Sequence, residues 1–248
     1  MRTILSVVFV FFFFLLGLPV LGIEWILAKL KVKGTDKSQL RMVQWAFRCI
    51  LFLSGVKVKV YGKENVPKDE AVLYVGNHRS IFDIVSTYPQ CEGLTGYISK
   101  DTVKKVPVLG IWMKRLYCLF IVRDDMKQSL KIILEAIAQV KKGISICIFP
   151  EGTRCKDYEH PKKVGVFKDG SFKIAQKTGC KIIPMAITGT ADILEKHFPW
   201  IHGGTVTITY GAPVLLSELD AETQKHPGAY VQQIVEQMLA EAIDRENN

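Results

Sequence analysis

The first strongly patterned segment is apolar throughout. Twenty-one residues from Thr3 to Ile23 carry no charge, and five of them are phenylalanine. A helix of this length can cross the hydrocarbon core of a bilayer. A re-entrant or interfacial helix fits equally, because Gly17 and Pro19 can kink the segment near its end. A cleaved signal peptide fits less well, since small residues suited to cleavage are missing around Leu21. Four residues then resemble an interfacial anchor: Trp25, Lys29, Lys31 and Lys33.

A second amphipathic helix is predicted after Gly34. Ser38 is placed to cap its start and Gly55 to end it. Its polar positions at 41, 44 and 48 recur at helical spacing and form one stripe, while apolar residues fill the remaining faces. Beside the uncharged segment, this helix is interpreted as the second arm of a membrane-associated helical hairpin. Residues 1–55 are therefore expected to be an N-terminal anchor.

From Val56 onward, apolar runs and amphipathic periods alternate. Short apolar or alternating runs predict strands, and the 3.6-residue period predicts helices. Strands are expected at 56–61, 71–75, 94–99, 117–122, 144–149, 181–187 and 205–210, and helices at 126–140, 170–177 and 230–243. This order predicts an α/β fold, with a mixed but mostly parallel sheet flanked by helices, over residues 56–248.

Charge and cysteine content further narrow the possible partners and the kind of site. The chain of 248 residues has a formal charge of +9, and residues 1–60 contribute +7 of it, from nine basic and two acidic residues. A basic segment beside an apolar one favours an anionic membrane surface. Nucleic acid is disfavoured as a partner because no nucleic-acid-binding motif accompanies the charge. The six cysteines form no C-x-x-C pair, so reduced thiols are expected and no metal site is predicted.

The strand at 71–75 ends at a group of reactive side chains. Asn77 and His78 follow it after Gly76, and Asp83 comes five residues after His78. An imidazole can take a proton from a hydroxyl, and a carboxylate on its other nitrogen orients the ring. The same residues also admit a purely structural interpretation, in which Ser80 and Asp83 cap the following helix. The spacing alone leaves both interpretations open.

Basic residues follow three other strands. Arg154 comes just after the strand at 144–149, preceded by Glu151, Gly152 and Thr153, and Lys100 and Arg123 follow two further strands. The carboxyl ends of parallel strands meet at one edge of a sheet. Convergent cations there predict an anion site, and an arginine beside glycine and threonine suits a phosphate.

Four motifs together resemble the glycerolipid acyltransferase family, over roughly residues 56–211. They are Asn77-His78 with Asp83, the segment 120–123, the segment 149–154, and Ile183-Pro184, in the family's order. The nearest resemblance is to bacterial 1-acylglycerol-3-phosphate acyltransferases. One departure is the sequence F-I-V-R at 120–123, where an acidic residue often precedes the arginine.

The resemblance implies transfer of a fatty acyl group from acyl-CoA or acyl carrier protein to lysophosphatidic acid, without a cofactor. His78 is then the base and Asp83 its partner; Arg154, Arg123, Lys100 and Thr153 hold the acceptor phosphate. Asn77, Glu151 and Gly152 support the site, Glu151 by hydrogen bonding beneath it. Alternatives are a related enzyme that uses glycerol-3-phosphate or another lysophospholipid, and a non-catalytic lipid-binding membrane protein. Membrane lipids are the expected partners, with the catalytic domain on the cytoplasmic face of the cell membrane.

Overall fold

A computed structural model describes residues 1–30, 32, 34–122 and 125–247. Seven strands form one sheet: β1 Val56–Tyr61, β2 Leu73–Gly76, β3 Thr95–Lys100, β4 Leu119–Ile121, β5 Ser145–Ile148, β6 Ile182–Thr188 and β7 Gly204–Tyr210. The described helices are α1 Arg2–Lys29, α2 Thr35–Ser54, α3 Phe82–Thr87, α4 Leu109–Arg115, α5 Met126–Val140, α6 Lys173–Thr178, α7 Thr190–Ile193, α8 Ala221–Lys225 and α9 Pro227–Asn247.

The sheet is mixed and mostly parallel, as the sequence predicts. Its strand order is β1-β7-β6-β2-β5-β3-β4. Among the described strands, the one antiparallel pair is β6 with β7; every other neighbouring pair is parallel. The segments that follow β2, β5, β3 and β4 therefore leave the sheet side by side at one edge, which we call the carboxyl edge.

Alternation along the central strands builds a core on each face of the sheet. In β2, Tyr74 packs into one core, and Leu73 and Val75 pack into the other. Successive side chains of a strand point to opposite faces, so a strand covered on both sides reads as continuously apolar. Helices α5, α6 and α9 cover the face of Leu73 and Val75, and α2, α3 and α4 cover the face of Tyr74.

Helices α1 and α2 form an antiparallel hairpin. Near its open end the Ser6 and Ser54 hydroxyls lie 3.2 Å apart, and near its turn the Gln39 amide donates to Glu24 at 3.3 Å. The expectation that Ser38 caps α2 is wrong. The helix begins earlier, at Thr35, because Gly34 adopts φ +90° and its carbonyl accepts the N–H of Ser38.

Two of the three positions in the polar stripe of α2, Gln44 and Arg48, contact the α/β domain, and the third, Arg41, is exposed. The Gln44 amide donates to the carbonyls of Tyr88 (3.3 Å) and Cys91 (2.9 Å), and Arg48 donates to Pro89 at 3.2 Å. Near the start of α2, Asp36 accepts a hydrogen bond from Tyr117. Helix α2 thus lies along the domain over most of its length. Gln44 and Arg48 supply hydrogen-bond donors to backbone carbonyls at the end of α3 and in the turn that follows it.

Helix α1 packs on α2 and leaves a broad apolar face uncovered. Within the described part of the chain, α1 alone is long and apolar enough to cross a bilayer, judged by length and composition. It runs without interruption through Gly17 and Pro19, and Gly17 lies against the Trp112 ring. Its exposed apolar side chains include Ile4, Leu5, Val7, Val8, Phe11, Phe12, Leu15, Leu16, Leu18, Ile23, Trp25 and Ile26.

Candidate active site

Asn77 fixes the chain where β2 ends. Its side chain is fully buried, and its amide makes two hydrogen bonds with the backbone of Ile187 in β6: Nδ2 donates to the carbonyl at 2.9 Å and Oδ1 accepts the N–H at 2.8 Å. These bonds replace the ladder that would continue between the two strands. Because the Asn77 side chain occupies the backbone groups of Ile187, the main chain at His78 can turn away from the sheet without leaving those groups unpaired.

The Asp83 carboxylate joins His78 to the start of α3. Its Oδ2 lies 2.7 Å from His78 Nδ1 and accepts the N–H groups of Arg79 (2.7 Å) and Ser80 (2.8 Å); its Oδ1 accepts the Thr190 hydroxyl at 2.6 Å. Asp83 is wholly buried. Since Oδ2 is an acceptor of backbone N–H groups, Nδ1 is the nitrogen that carries hydrogen and Nε2 has the free lone pair. One carboxylate therefore holds the backbone that leads into α3 and orients the imidazole.

Phe149, at the end of β5, holds the His78 ring from one side. The two rings stack with centroids 4.3 Å apart and planes 12° from parallel. The His78 side chain is 15% exposed, so the ring is confined but accessible. Two fixed contacts, one through Nδ1 and one through the ring face, leave the Nε2 edge as the part of the ring that neither contact uses.

Glu151 lies beneath this turn, bound to backbone. Its Oε1 accepts the N–H of His78 at 2.6 Å and its Oε2 accepts the N–H of Gly165 at 2.7 Å. Burial raises the pKa of Glu151, opposed by these two hydrogen bonds. A Cβ at position 165 would lie 2.8 Å from Oε2, so a larger residue there would displace the Glu151 carboxylate. Both oxygens point at main chain and neither points at the carboxyl edge.

Arg154 projects from the segment that follows β5. Its guanidinium donates to Glu195 Oε1 at 2.9 Å, and the same oxygen accepts the N–H of Ile81 at 2.9 Å. The Arg154 side chain is half-exposed, whereas that of Glu195 is 10% exposed. Gly152, with φ +73°, makes the turn that brings Thr153 and Arg154 beside His78, whose carbonyl accepts the N–H of Cys155 at 2.7 Å.

Lys100 is the exposed last residue of β3, the strand next to β5, so it reaches the same edge as Arg154. Thr153 is also exposed. Arg123 follows β4 in the chain but lies outside the described residues, as do Lys31 and Lys33. In the described part of the chain, no three His, Cys, Asp or Glu side chains converge as a metal site would require.

Residues 57–188, which include the His78 turn and the segment around Arg154, match the family model described as acyltransferase. The chain belongs to the acyltransferase family. The resemblance in the four sequence motifs is thereby confirmed at the level of the family.

Curated relatives of this acyltransferase carry consistent names. A chloroplastic 1-acyl-sn-glycerol-3-phosphate acyltransferase of Brassica napus is 33% identical over 166 residues, covering 66% of this chain and 47% of the relative. The 1-acyl-sn-glycerol-3-phosphate acyltransferase of Escherichia coli K12 is 27% identical over 195 residues, covering 78% and 77%. The chain spans about half the length of the plant and algal relatives that it matches.

A solved structure has the same fold. The crystal structure of the 1-acyl-sn-glycerophosphate acyltransferase PlsC from Thermotoga maritima aligns with a TM-score of 0.75 and 25% identity, over 97% of this chain and 98% of that one. The likeness extends across nearly the whole chain, so it includes the N-terminal helices as well as the α/β domain.

Three residues of the acyltransferase site escaped the sequence analysis. Arg79 is buried, and its guanidinium donates to the carbonyls of Asp157, His160, Pro161 and Lys163 at 2.5–3.4 Å. It thereby ties the loop after Arg154 to the His78 turn. Glu195 and Thr190 contact Arg154 and Asp83 from more than 40 residues away, and no local pattern marks them.

Proposed function

We propose that this acyltransferase moves a fatty acyl group from a thioester donor, acyl-CoA or acyl carrier protein, to the sn-2 hydroxyl of 1-acylglycerol-3-phosphate, forming phosphatidic acid. The observation that carries the proposal is the His78–Asp83 pair at the carboxyl edge with Arg154 on the neighbouring segment. The names of the relatives support this choice of acceptor. Those names describe whole proteins, of which this chain matches a part.

In the proposed reaction His78 acts as general base. Its Nε2 takes the proton of the acceptor hydroxyl as the oxygen attacks the thioester carbonyl. The tetrahedral intermediate then collapses, the C–S bond breaks, and the imidazolium gives its proton to the departing thiolate, which leaves as a thiol. Asp83, fully buried and 2.7 Å from Nδ1, stabilises the imidazolium while it exists.

The acceptor phosphate is assigned to the cations of the carboxyl edge. Arg154, Lys100 and Arg123 supply the charge and Thr153 a hydroxyl donor. Glu195 holds one nitrogen of the Arg154 guanidinium, which fixes the plane of the group and leaves its other N–H groups for phosphate oxygens. Binding the phosphate beside His78 positions the hydroxyl for attack. Asn77, Gly152 and Glu151 act by holding the backbone on which these side chains stand.

We infer that residues 1–55 anchor residues 56–248 in one leaflet, with the catalytic domain on the cytoplasmic face of the cell membrane. Thr3 accepts a hydrogen bond from Ile201 at 2.8 Å, and Trp112 packs on α1 near its middle. A spanning α1 would carry these parts of the domain into the bilayer. A helix lying in the interface buries its apolar face and avoids that cost.

The acceptor assignment is tested with purified protein, labelled acyl-CoA or acyl carrier protein, and a panel of acceptors. We expect phosphatidic acid from 1-acylglycerol-3-phosphate, at a rate that exceeds product formation from the other acceptors. Faster acylation of glycerol-3-phosphate, or of a lysophospholipid with another head group, would refute the acceptor. Binding of lipids without transfer from either donor would refute catalysis and indicate a lipid-binding membrane protein.

A further inference from the structure

Two large aromatic side chains stand exposed in the segment between α7 and β7. Phe198 is 78% exposed and Trp200 is 59% exposed. Adjacent exposed aromatic residues are unusual on a surface that meets only water, and such clusters commonly mark a binding surface. Within the described residues, neither makes a ring contact with another aromatic side chain.

This segment is fastened to the beginning of α1. The N–H of Ile201 donates to the Thr3 hydroxyl at 2.8 Å. The Arg2 guanidinium packs on Gly203, where an added Cβ would lie 2.7 Å from Arg2 Nη1, and also on Gly55 at the end of α2. Three separate parts of the chain therefore meet at one corner of the molecule.

Each of the three parts presents an apolar side chain to solvent there. Next in the chain to the contacting residues Thr3 and Ile201 are Ile4 of α1, which is 62% exposed, and Trp200. Phe52 of α2 lies three residues before Gly55 and is 83% exposed. We call Ile4, Phe52, Phe198 and Trp200 the corner patch. Ile4 also begins the exposed apolar face of α1, so the patch extends that face onto the α/β domain. Tryptophan favours the headgroup level of a bilayer, where its ring is buried and its N–H stays hydrated.

We propose that the corner patch is a second membrane contact, in which Phe198 and Trp200 enter the boundary between headgroups and acyl chains of the leaflet that holds α1 and α2. This inference rests on the one-leaflet placement proposed above. The occupant is lipid because the segment of Phe198 and Trp200 is hydrogen-bonded to the start of α1, the helix whose exposed apolar face already has lipid as its proposed partner.

The contact has a consequence for catalysis. The hairpin is fastened to the domain, so hairpin and domain tilt together on the leaflet, and a contact by Phe198 and Trp200 of the domain itself limits that tilt. The segment that carries Phe198 also carries Glu195, which binds Arg154, and it follows α7, whose first residue Thr190 binds Asp83. Inserting the segment therefore sets the phosphate-binding edge at a fixed height above the leaflet from which the acceptor comes.

Fluorescence quenching tests the insertion directly. The chain has four tryptophans, so subtracting the emission of the full-length Trp200→Phe protein from that of the unaltered protein isolates Trp200. Vesicles of phosphatidylcholine and phosphatidylglycerol would carry bromine at a shallow acyl position. We expect these vesicles to quench the Trp200 signal and to shield it from aqueous iodide. Trp25 of α1, isolated in the same way, reports the hairpin.

The two probes separate the possible failures. If Trp25 is quenched and Trp200 is not, the corner patch does not meet lipid and the inference is overturned while the hairpin stands. If neither is quenched, the one-leaflet placement and the inference fail together. A patch covered by a second copy of the chain gives the first of these results, with Trp200 shielded from iodide before vesicles are added.

Activity supplies a second measurement. The Phe198→Ser, Trp200→Ser double variant should lose about ten-fold in rate on acceptor embedded in vesicles, because two partly inserted aromatic side chains are removed. Its rate on acceptor dispersed in detergent should stay within about two-fold of the unaltered protein. The Leu130→Ser, Leu134→Ser variant is the matched control, since both leucines are half-exposed on α5, on the other face of the sheet. Equal loss in vesicles and detergent, or no loss in vesicles, would overturn the proposal.

Discussion

Replacing Asp83 with asparagine changes the charge of the proposed catalytic pair and little else. The asparagine oxygen can still accept from His78 Nδ1 and from the N–H groups of Arg79 and Ser80, which all converge on Oδ2. The amide nitrogen then takes the place of Oδ1, facing the Thr190 hydroxyl, which can turn to accept. We therefore expect the Asp83→Asn protein to fold and to keep the position of the imidazole.

The size of the effect follows from the lost charge. Asp83 is fully buried and in direct hydrogen bond with His78, so water screens the pair little. Two unit charges about 4 Å apart interact by about 4 kcal/mol at an effective dielectric constant of about 20. That energy stabilises the imidazolium formed during transfer but not the neutral ring before it. Its loss should lower kcat by about a thousand-fold, since about 1.4 kcal/mol corresponds to a factor of ten.

The assay compares kcat and thermal unfolding for Asp83→Asn and Thr190→Val. The valine variant removes one hydrogen bond to the carboxylate and should cost about 1–3 kcal/mol of stability, while it retains the charge and most of the rate. Asp83→Asn should show the reverse, a stable protein with little activity. A folded Asp83→Asn protein with kcat within ten-fold of the unaltered protein would refute the role of the charge.

Three further outcomes are expected. Arg154→Ala should raise the acceptor KM by about ten-fold or more and leave the donor KM unchanged, because a charged hydrogen bond contributes about 1.5–3 kcal/mol. A rise in the donor KM alone would reassign the arginine to the donor. Arg79→Lys should destabilise the protein by about 1–3 kcal/mol and speed amide hydrogen exchange across 157–163, since an ammonium group cannot donate to all four carbonyls. Unchanged hydrogen-exchange rates in this segment would contradict the prediction. A cysteine at Thr3 should resist an impermeant thiol reagent on intact cells, whereas labelling from outside would show that α1 crosses the bilayer.

The sequence predicted helices and strands correctly where the hydrophobic pattern of a segment matches the side of it that is buried. Helix α5 begins and ends where its period predicts, and the seven strands fall within two residues of their expected bounds at every end. Shorter elements were missed, such as α4 and α7, because four to seven residues carry too little periodicity. The helix expected at 170–177 opens as a 3₁₀ turn at Asp169–Phe172 and becomes α-helical at Lys173.

The site was readable only in part, for a related reason. His78 and Asp83 are five residues apart, so the pair could be proposed from a local motif. Glu195 reaches Ile81 across 114 residues, and Thr190 reaches Asp83 across 107. Contacts of that kind depend on where the sheet brings β2 and β6 together, which spacing along the chain does not encode. The two oxygens of Asp83 accommodate four hydrogen-bond donors, so a backbone-holding role and contact with His78 are compatible in one side chain, and its role in catalysis stays a prediction.

The central claim is that His78 is the base for acyl transfer to lysophosphatidic acid. The direct measurement is formation of labelled phosphatidic acid by the purified His78→Ala protein and the unaltered protein, at matched membrane binding and thermal stability. The account predicts product from the unaltered protein and none above background from His78→Ala, since no other group is assigned to take the hydroxyl proton. A His78→Ala protein that retains activity within a few-fold would contradict it.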